Sequence, residues 1–368
     1  MLSDLCGSRP IAGILTLRRK LYSRLRWAAA LAPVLAALML TKAQAQEHQD
    51  YYAGKTLRFI VGVAAGGGFD AYGRLLASHL PRFIPGKPTV VVQNMPGAGS
   101  VLMANYLYSP TAPRDGTVIG LGGGNLLTAG LFGAFGARFD SRQFFWIGSM
   151  NAEAGVSIAW HTSPVTTASD LFERELVVGA AGLNAASALY PSMLNRVLGT
   201  KYKVVPGYSG SAETMLAMER GEVQGVGYAN YSWISSGKPE WLREKKISLI
   251  LQYALTRHPE LPNLPTVLDL AKTKAQRDIL SLILVQISVG RPVFGPPNMD
   301  AEPSAILRKA FATLLQDPEF LADAKKRNLE ITDPLNGERI SSLIANLYDT
   351  DPVLIKQAAE AVSPTKKK

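Results

Sequence analysis

Between residues 56 and 132 the chain repeats one pattern three times: a short apolar strand, a glycine-rich turn and a helical stretch. The first unit is the clearest. Residues 56–63 are largely β-branched and apolar, with Arg58 their only charge, as expected of a strand buried in a parallel sheet. Gly66, Gly67 and Gly68 let the backbone turn through φ > 0 and keep side chains out of the way. Asp70 opens a helical pattern with Tyr72, Leu75, Leu76 and Leu80 on one face, and Pro81 marks its end. The second unit is a strand at 89–93 and a turn at 94–100, with Ser100 expected to N-cap a helix through Tyr108. The third is a strand at 117–121, the run Gly122-Gly-Gly-Asn125 and an apolar helix near 126–132. Such units predict a parallel, doubly wound α/β sheet with every glycine loop at the carboxyl ends of strands.

Beyond residue 150 the pattern restarts. A strand at 176–180, a turn at 181–184 and a helix at 186–198 are followed by a strand at 202–205, a loop at 206–211 and a helix at 212–220. Strands at 223–227 and 247–252 complete a second α/β unit, so two lobes are expected to face one another. A proline-rich link at 261–266 precedes helices at 301–315, 318–328, 338–347 and 352–362. Pro303, Pro318 and Pro352 sit near their starts, where a missing N–H costs little.

A strand that feeds a helix through bare N–H groups makes an anion site, because unpaired donors and the positive helix end converge there. A carboxylate or phosphate is therefore expected at residues 66–69. The run Gly66-Gly-Gly-Phe-Asp-Ala71 also matches the dinucleotide fingerprint, but the second strand ends in Gln93-Asn94, without the acid that would hold a ribose. A small-acid site, a nucleotide site and a plain turn all remain open from the loop alone. Asp70 reads either as a helix cap or as a carboxylate orienting a ligand group, Ser211 as an N-cap before a nucleophile. Trp146 and Trp160 read as core, while Tyr228, Tyr231 and Trp233 either pack between lobes or line a cleft.

The net charge of +10 misleads. Residues 1–45 carry seven Lys/Arg against Asp4, and three of the remaining four positive charges are Lys366, Lys367 and Lys368. The rest is nearly neutral, and no nucleic-acid partner is expected. Basic residues from Arg18 to Arg26, an apolar run from Trp27 to Leu40 and Ala43-Gln-Ala45 have the order of a secretory signal cleaved near Ala45, giving a periplasmic product. The only cysteine, Cys6, lies in that segment. The four histidines, His48, His79, His161 and His258, show no metal-ligand spacing, so no metal, cofactor or catalytic residue is expected.

An ordered set of motifs resembles one family: Tyr52-Ala-Gly-Lys-Thr56 leading into 61–70, Val92-Gln-Asn-Met-Pro-Gly-Ala-Gly-Ser100, Pro113-Arg-Asp-Gly116, Tyr208-Ser-Gly-Ser211, Gly221-Glu-Val-Gln-Gly225, the 261–266 link and Phe294-Gly-Pro-Pro297. The chain is similar in these to the periplasmic receptors of tripartite tricarboxylate transporters, the Bug-type solute-binding proteins. The resemblance implies a type II periplasmic-binding-protein fold, two doubly wound α/β lobes joined by a hinge. It implies a first lobe of 46–150 plus 273–368 and a second of 151–272. It also implies a monomer, not an enzyme, that captures a small carboxylated solute for membrane permease subunits. Carried over position by position, the ligand-binding residues would be Ala65, Gly66, Gly67, Gly68 and Asp70, with Gly97, Ala98, Gly99 and Ser100. From the second lobe they would be Ala181, Gly182, Leu183, Asn184, Ser187, Tyr208, Ser209, Gly210 and Ser211. Where the family usually ends a glycine turn in histidine, this chain has Gly182-Leu-Asn-Ala-Ala-Ser187. The alternatives are an exported α/β hydrolase-like enzyme and a receptor reporting to a sensor kinase. Both the residues and the resemblance point to backbone amides holding the carboxylate without a buried arginine.

Overall fold

Leu57, Phe59, Ile60 and Val61 are fully buried, which sets the strand Thr56–Val61 inside a sheet covered on both faces. The computed structural model describes residues 51–134, 136–180, 185–208 and 210–363. Over these the strands are β1 (Thr56–Val61), β2 (Thr89–Asn94), β3 (Val118–Leu121), β4 (Phe145–Ser149), β5 (Gly155–Trp160), β6 (Leu176–Ala180), β7 (Tyr202–Pro206), β8 (Gly225–Asn230), β9 (Ile247–Tyr253), β10 (Pro292–Gly295) and β11 (Leu335–Asn336). The helices are α1 (Gly68–His79), α2 (Val101–Tyr108), α3 (Asp170–Glu173), α4 (Ala186–Leu198), α5 (Ser211–Glu219), α6 (Tyr231–Gly237), α7 (Pro239–Arg243), α8 (Lys274–Leu284), α9 (Ala301–Leu314), α10 (Pro318–Lys326), α11 (Gly337–Tyr348) and α12 (Pro352–Val362).

Two sheets share one plan. The first runs β11-β4-β10-β3-β1-β2 and the second β7-β6-β8-β5-β9. In the first, β1 pairs parallel with β2 (Thr56 opposite Thr89) and with β3 (Arg58 opposite Val118). In the second, β6 pairs parallel with β7 and β8. The sheets are mixed rather than wholly parallel. β10 lies antiparallel between β3 and β4, and β5 lies antiparallel between β8 and β9. Each of these reversed strands is the first that the chain enters on crossing from one sheet to the other. The repeat of strand, turn and helix cannot show this, because a crossing strand has the same apolar composition as its neighbours.

Helices cover both faces. Leu75, Leu76, Phe311 and Phe320 of α1, α9 and α10 pack on one side of the first sheet, Met103, Leu107, Ile340 and Ile344 of α2 and α11 on the other. Full burial of each such side chain contributes about 1.5–3 kcal/mol. On the second sheet, Tyr190, Met193 and Leu194 of α4 cover one face, Met215 and Met218 of α5 the other. The α4 cluster also takes in Leu280 and Ile283 of α8 and Ala358 and Ala361 of α12. Segments 274–288 and 352–362, expected with the first lobe, therefore pack on the second. Arg196 of α4 fixes α12 there by donating to the Ala361 carbonyl (2.8 Å). The third glycine unit forms only a 3-10 turn, Gly124–Leu127, in place of the expected helix. Among the described residues no helix is long and apolar enough to cross a membrane.

Candidate functional site

Parallel pairing of β1, β2 and β3 brings three glycine loops to one edge of the first sheet, and side chains fasten them there. Asn94, the last residue of β2, donates to the Val63 carbonyl (3.0 Å) and to Asp70 Oδ1 (2.9 Å). Asp70 Oδ2 accepts from the Gly66 N–H and from Arg74 Nε, both at 2.9 Å. Burial disfavours the Asp70 charge, but the bonds from Arg74, Gly66 and Asn94 outweigh it and hold the carboxyl below its usual range. Ser100 Oγ donates to the Gly62 carbonyl (3.1 Å), and Asn125 Nδ2 to the Gly99 carbonyl (2.9 Å). The loops after β1, β2 and β3 thus form one connected rim, with residues 64–68 exposed along it.

The helices that follow parallel strands lack side-chain caps, which most of the C-terminal helices have. Among the described helices of eight residues or more, α8, α10, α11 and α12 are capped by the side chains of Thr273, Asp317, Asn336 and Asp351. No side-chain cap bond is made at Gly67 of α1, Ser100 of α2, Ala185 of α4 or Gly210 of α5. Those four helices follow β1, β2, β6 and β7; α9, at Asp300, is the other uncapped one. A cap contributes about 1 kcal/mol, so the four strand-end helices forgo stability that the C-terminal helices take. At α2 the Val101 and Leu102 N–H groups bond back to the Ala98 and Gly97 carbonyls, each at 3.4 Å, whereas among the described residues no such bond closes the start of α1 before the Ala71 N–H meets the Gly67 carbonyl (3.0 Å).

Between the lobes, the two crossovers run side by side. Glu153 N–H donates to the Ile287 carbonyl (3.1 Å) and Gly290 N–H to the Asn151 carbonyl (2.9 Å). A Cβ at Gly290 would lie 2.6 Å from Glu153 Cγ, so only glycine permits this approach. Across the crossovers Arg291 pairs with Glu153 at 2.6 Å, both side chains about 95% buried. Removing either partner would leave a buried charge alone, at about 3–5 kcal/mol. The guanidinium lies over the Phe69 ring, 4.1 Å from its centroid, and 4.7 Å from that of Tyr72. Beyond it, Tyr228 stacks on Tyr190 at 4.6 Å, beside Tyr253.

Of the expected binding residues, Ala65, Gly66, Gly67 and Gly68 stand exposed on the rim, as do Ala98 and Gly99. Ser187 lies in the first turn of α4 and Tyr208 on the loop after β7, its N–H donating to the Ala180 carbonyl (3.3 Å). Ala181, Gly182, Leu183, Asn184 and Ser209 lie outside the described residues. Several roles differ from expectation. Only Gly66 takes positive φ (84°); Gly67 is extended (φ −88°, ψ 173°) and Gly68 begins the helix. Asp70 lies in the first turn of α1 and not at its N-cap, which Gly67 holds, and its oxygens accept from Gly66, Arg74 and Asn94. Ser100 is buried with φ 74° and caps nothing, because its hydroxyl is drawn back to Gly62. Ser211 is the exposed first residue of α5, and Gly210 holds the cap position. Ala98 and Ser100 flank Gly99 with φ of 47° and 74°, strain of about 1–3 kcal/mol each that the rim's hydrogen bonds must hold in place.

A buried arginine was not expected, yet Arg291 sits under the first loop. The signal was present in two isolated charges. Glu153 is the only charged residue between 143 and 160, and Arg291 the only one between 279 and 299. Each sits alone in an apolar run, where a charge needs a partner. Among the described residues no group of His, Cys, Asp and Glu could hold a metal ion. His79 bonds Asp323, His161 packs on Trp160 and His258 on Tyr231.

This topology and the rim define the class to which the fold belongs: the two-lobed, type II periplasmic-binding-protein fold. No protein-family model matches the sequence. A curated relative, the "UPF0065 protein in gbd 5'region" of Cupriavidus necator, is 24% identical over 346 residues, 89% of this chain and 95% of its own length. The periplasmic binding protein BugD superposes with a TM-score of 0.63 at 23% identity, over 83% of this chain and 98% of that one. MatC from Rhodopseudomonas palustris, solved with bound malate, gives 0.61 at 20% identity, over 84% and 99%.

Proposed function

We propose that this chain is a periplasmic receptor that takes a small carboxylated solute between its lobes and delivers it to the permease of a tripartite tricarboxylate-type transporter. The observation that carries this reading is the two-sheet fold shared with solute-binding proteins, in which helices start after β1, β2, β6 and β7, two on each sheet, at the carboxyl ends of parallel strands. A carboxylate spanning them accepts from N–H groups at the positive ends of helices of both lobes, which favours the closed state through contacts the open state lacks. The malate bound to MatC, and the likeness to BugD, support a carboxylic acid and a periplasmic setting. The signal-like order of residues 1–45 supports export, with cleavage near Ala45. Of the described residues, 51–150 and the β10, β11, α9, α10 and α11 segments would make the first lobe, and 151–272 with α8 and α12 packed on it the second. A permease partner would read their closure.

The test is isothermal titration of the exported protein with L-malate, succinate, adipate and citrate, with product analysis for any acid that binds. Saturable one-to-one binding without turnover is expected for at least one. No heat from any of the four, or conversion of the one that binds, contradicts the reading.

A further inference from the structure

We infer that Arg291 is the positioning residue of the binding rim: its guanidinium, fixed by Glu153, holds Phe69 and so sets the loop that carries the α1 helix start. This deepens the reading above and rests on it for its functional consequence. Three observations combine. First, Arg291 precedes β10 and Glu153 precedes β5, so their 2.6 Å pair ties together the two crossovers that connect the sheets. Second, the guanidinium carbon lies over the ring of Phe69, 4.1 Å from its centroid, and Phe69 is the residue directly after the three glycines. Third, Arg291 is held from two sides, its Nη2 on Glu153 (2.6 Å) and its Nη1 on the Gly290 carbonyl (2.9 Å), with Nε buried and unbonded, so the group is fixed as a platform.

The consequence is a path from hinge to rim. Residues 64–68 are exposed, a Cβ at Gly66, Gly67 or Gly68 would meet nothing within 4 Å, and the glycines alone cannot hold one backbone shape. Asp70 fixes the far end of the loop through the Gly66 N–H, and Phe69 on Arg291 fixes its base. Any motion that shifts one crossover against the other strains the Glu153–Arg291 pair and moves the surface on which Phe69 rests. A lysine could keep the ion pair but offers no planar face to an aromatic ring.

Hydrogen exchange on the unliganded protein tests this without needing a solute. Exchange of the two bonded N–H groups that close the loop, Gly66 to Asp70 and Ala71 to Gly67, is expected to quicken roughly tenfold in Phe69→Leu, which keeps an apolar side chain and loses the ring, the scale of a desolvated cation–π contact. Phe69→Tyr should restore the parent rate. Glu153→Gln should quicken the same segment, although residue 153 is on the crossover, and Arg291→Lys should not rescue it. Should the Arg291 and Glu153 variants fail to fold, the Phe69 pair still decides. Unchanged exchange at Gly66 and Ala71 in Phe69→Leu, or equal rates there in Phe69→Leu and Phe69→Tyr, would overturn the inference. Titration with L-malate follows separately: weaker binding by the same factor is expected in Phe69→Leu, and unaltered affinity beside quickened exchange would overturn the functional half. If the parent protein binds no carboxylate, the receptor reading fails while the exchange result still judges the positioning of the loop.

Discussion

Gly68 shows how little of a residue's role its type reveals. Three successive glycines read as three left-handed residues, but only Gly66 needs that conformation, and a Cβ on Gly68 meets nothing within 4 Å. Its value is clearance over the first N–H groups of α1. Gly68→Ala is therefore expected to fold normally and gain about 0.5–1 kcal/mol, as alanine replaces glycine in a helix. The methyl group then stands where an acid would reach the amides. Loss of one charge-assisted hydrogen bond weakens binding roughly 10- to 150-fold. Thermal melting and titration with a bound acid, run on the same sample, check both directions. A variant that melts lower, or binds as tightly as the parent, contradicts this account of the loop.

Elements divide into those whose ends are finished by their own side chains and those whose ends are not. Serine fits the extended cap positions Gly67 and Gly210, which have open space around them. Gly67→Ser and Gly210→Ser should each stabilise the protein by a few tenths of a kcal/mol, since the hydroxyl takes an orphan N–H. Both should weaken carboxylate binding about tenfold by occupying a donor without adding charge. Titration calorimetry distinguishes this from capping with no effect on affinity. The packing of α1 on α10 gives a pH signature instead. Bonds from Arg327 and His79 hold the Asp323 carboxyl at about 2. In the unfolded chain it titrates near the ordinary aspartate value of about 3.9. The folded protein thus binds this proton less readily, so the contribution is complete above about pH 4 and fades as pH falls toward 2. Melting temperatures between pH 5 and pH 2 should fall less steeply in Asp323→Asn than in the parent. Parallel curves would show that the contact does not contribute.

At the scale of the whole molecule, local pattern revealed the strand–turn–helix units, and with them the fold class and most of the rim. It did not reveal β5 and β10 as reversed strands, because direction within a sheet depends on where the chain crosses over, which no short window records. The bonds of Ser100 to Gly62 and of Asn94 to Asp70 were not legible either, since those partners lie 38 and 24 residues apart in the chain. Arg291 and Glu153 were visible as lone charges, but their pairing across 138 residues appears only once both crossovers meet. The central claim is that one carboxylate is held by helix starts of both lobes. Amide chemical-shift mapping of the labelled protein, titrated with L-malate or whichever acid of the panel binds, tests it most directly. The account predicts the largest shifts at the N–H groups of residues 67–69 and 211–213, saturating together with one affinity. Shifts confined to one lobe, or largest at residues away from these helix starts, would contradict it.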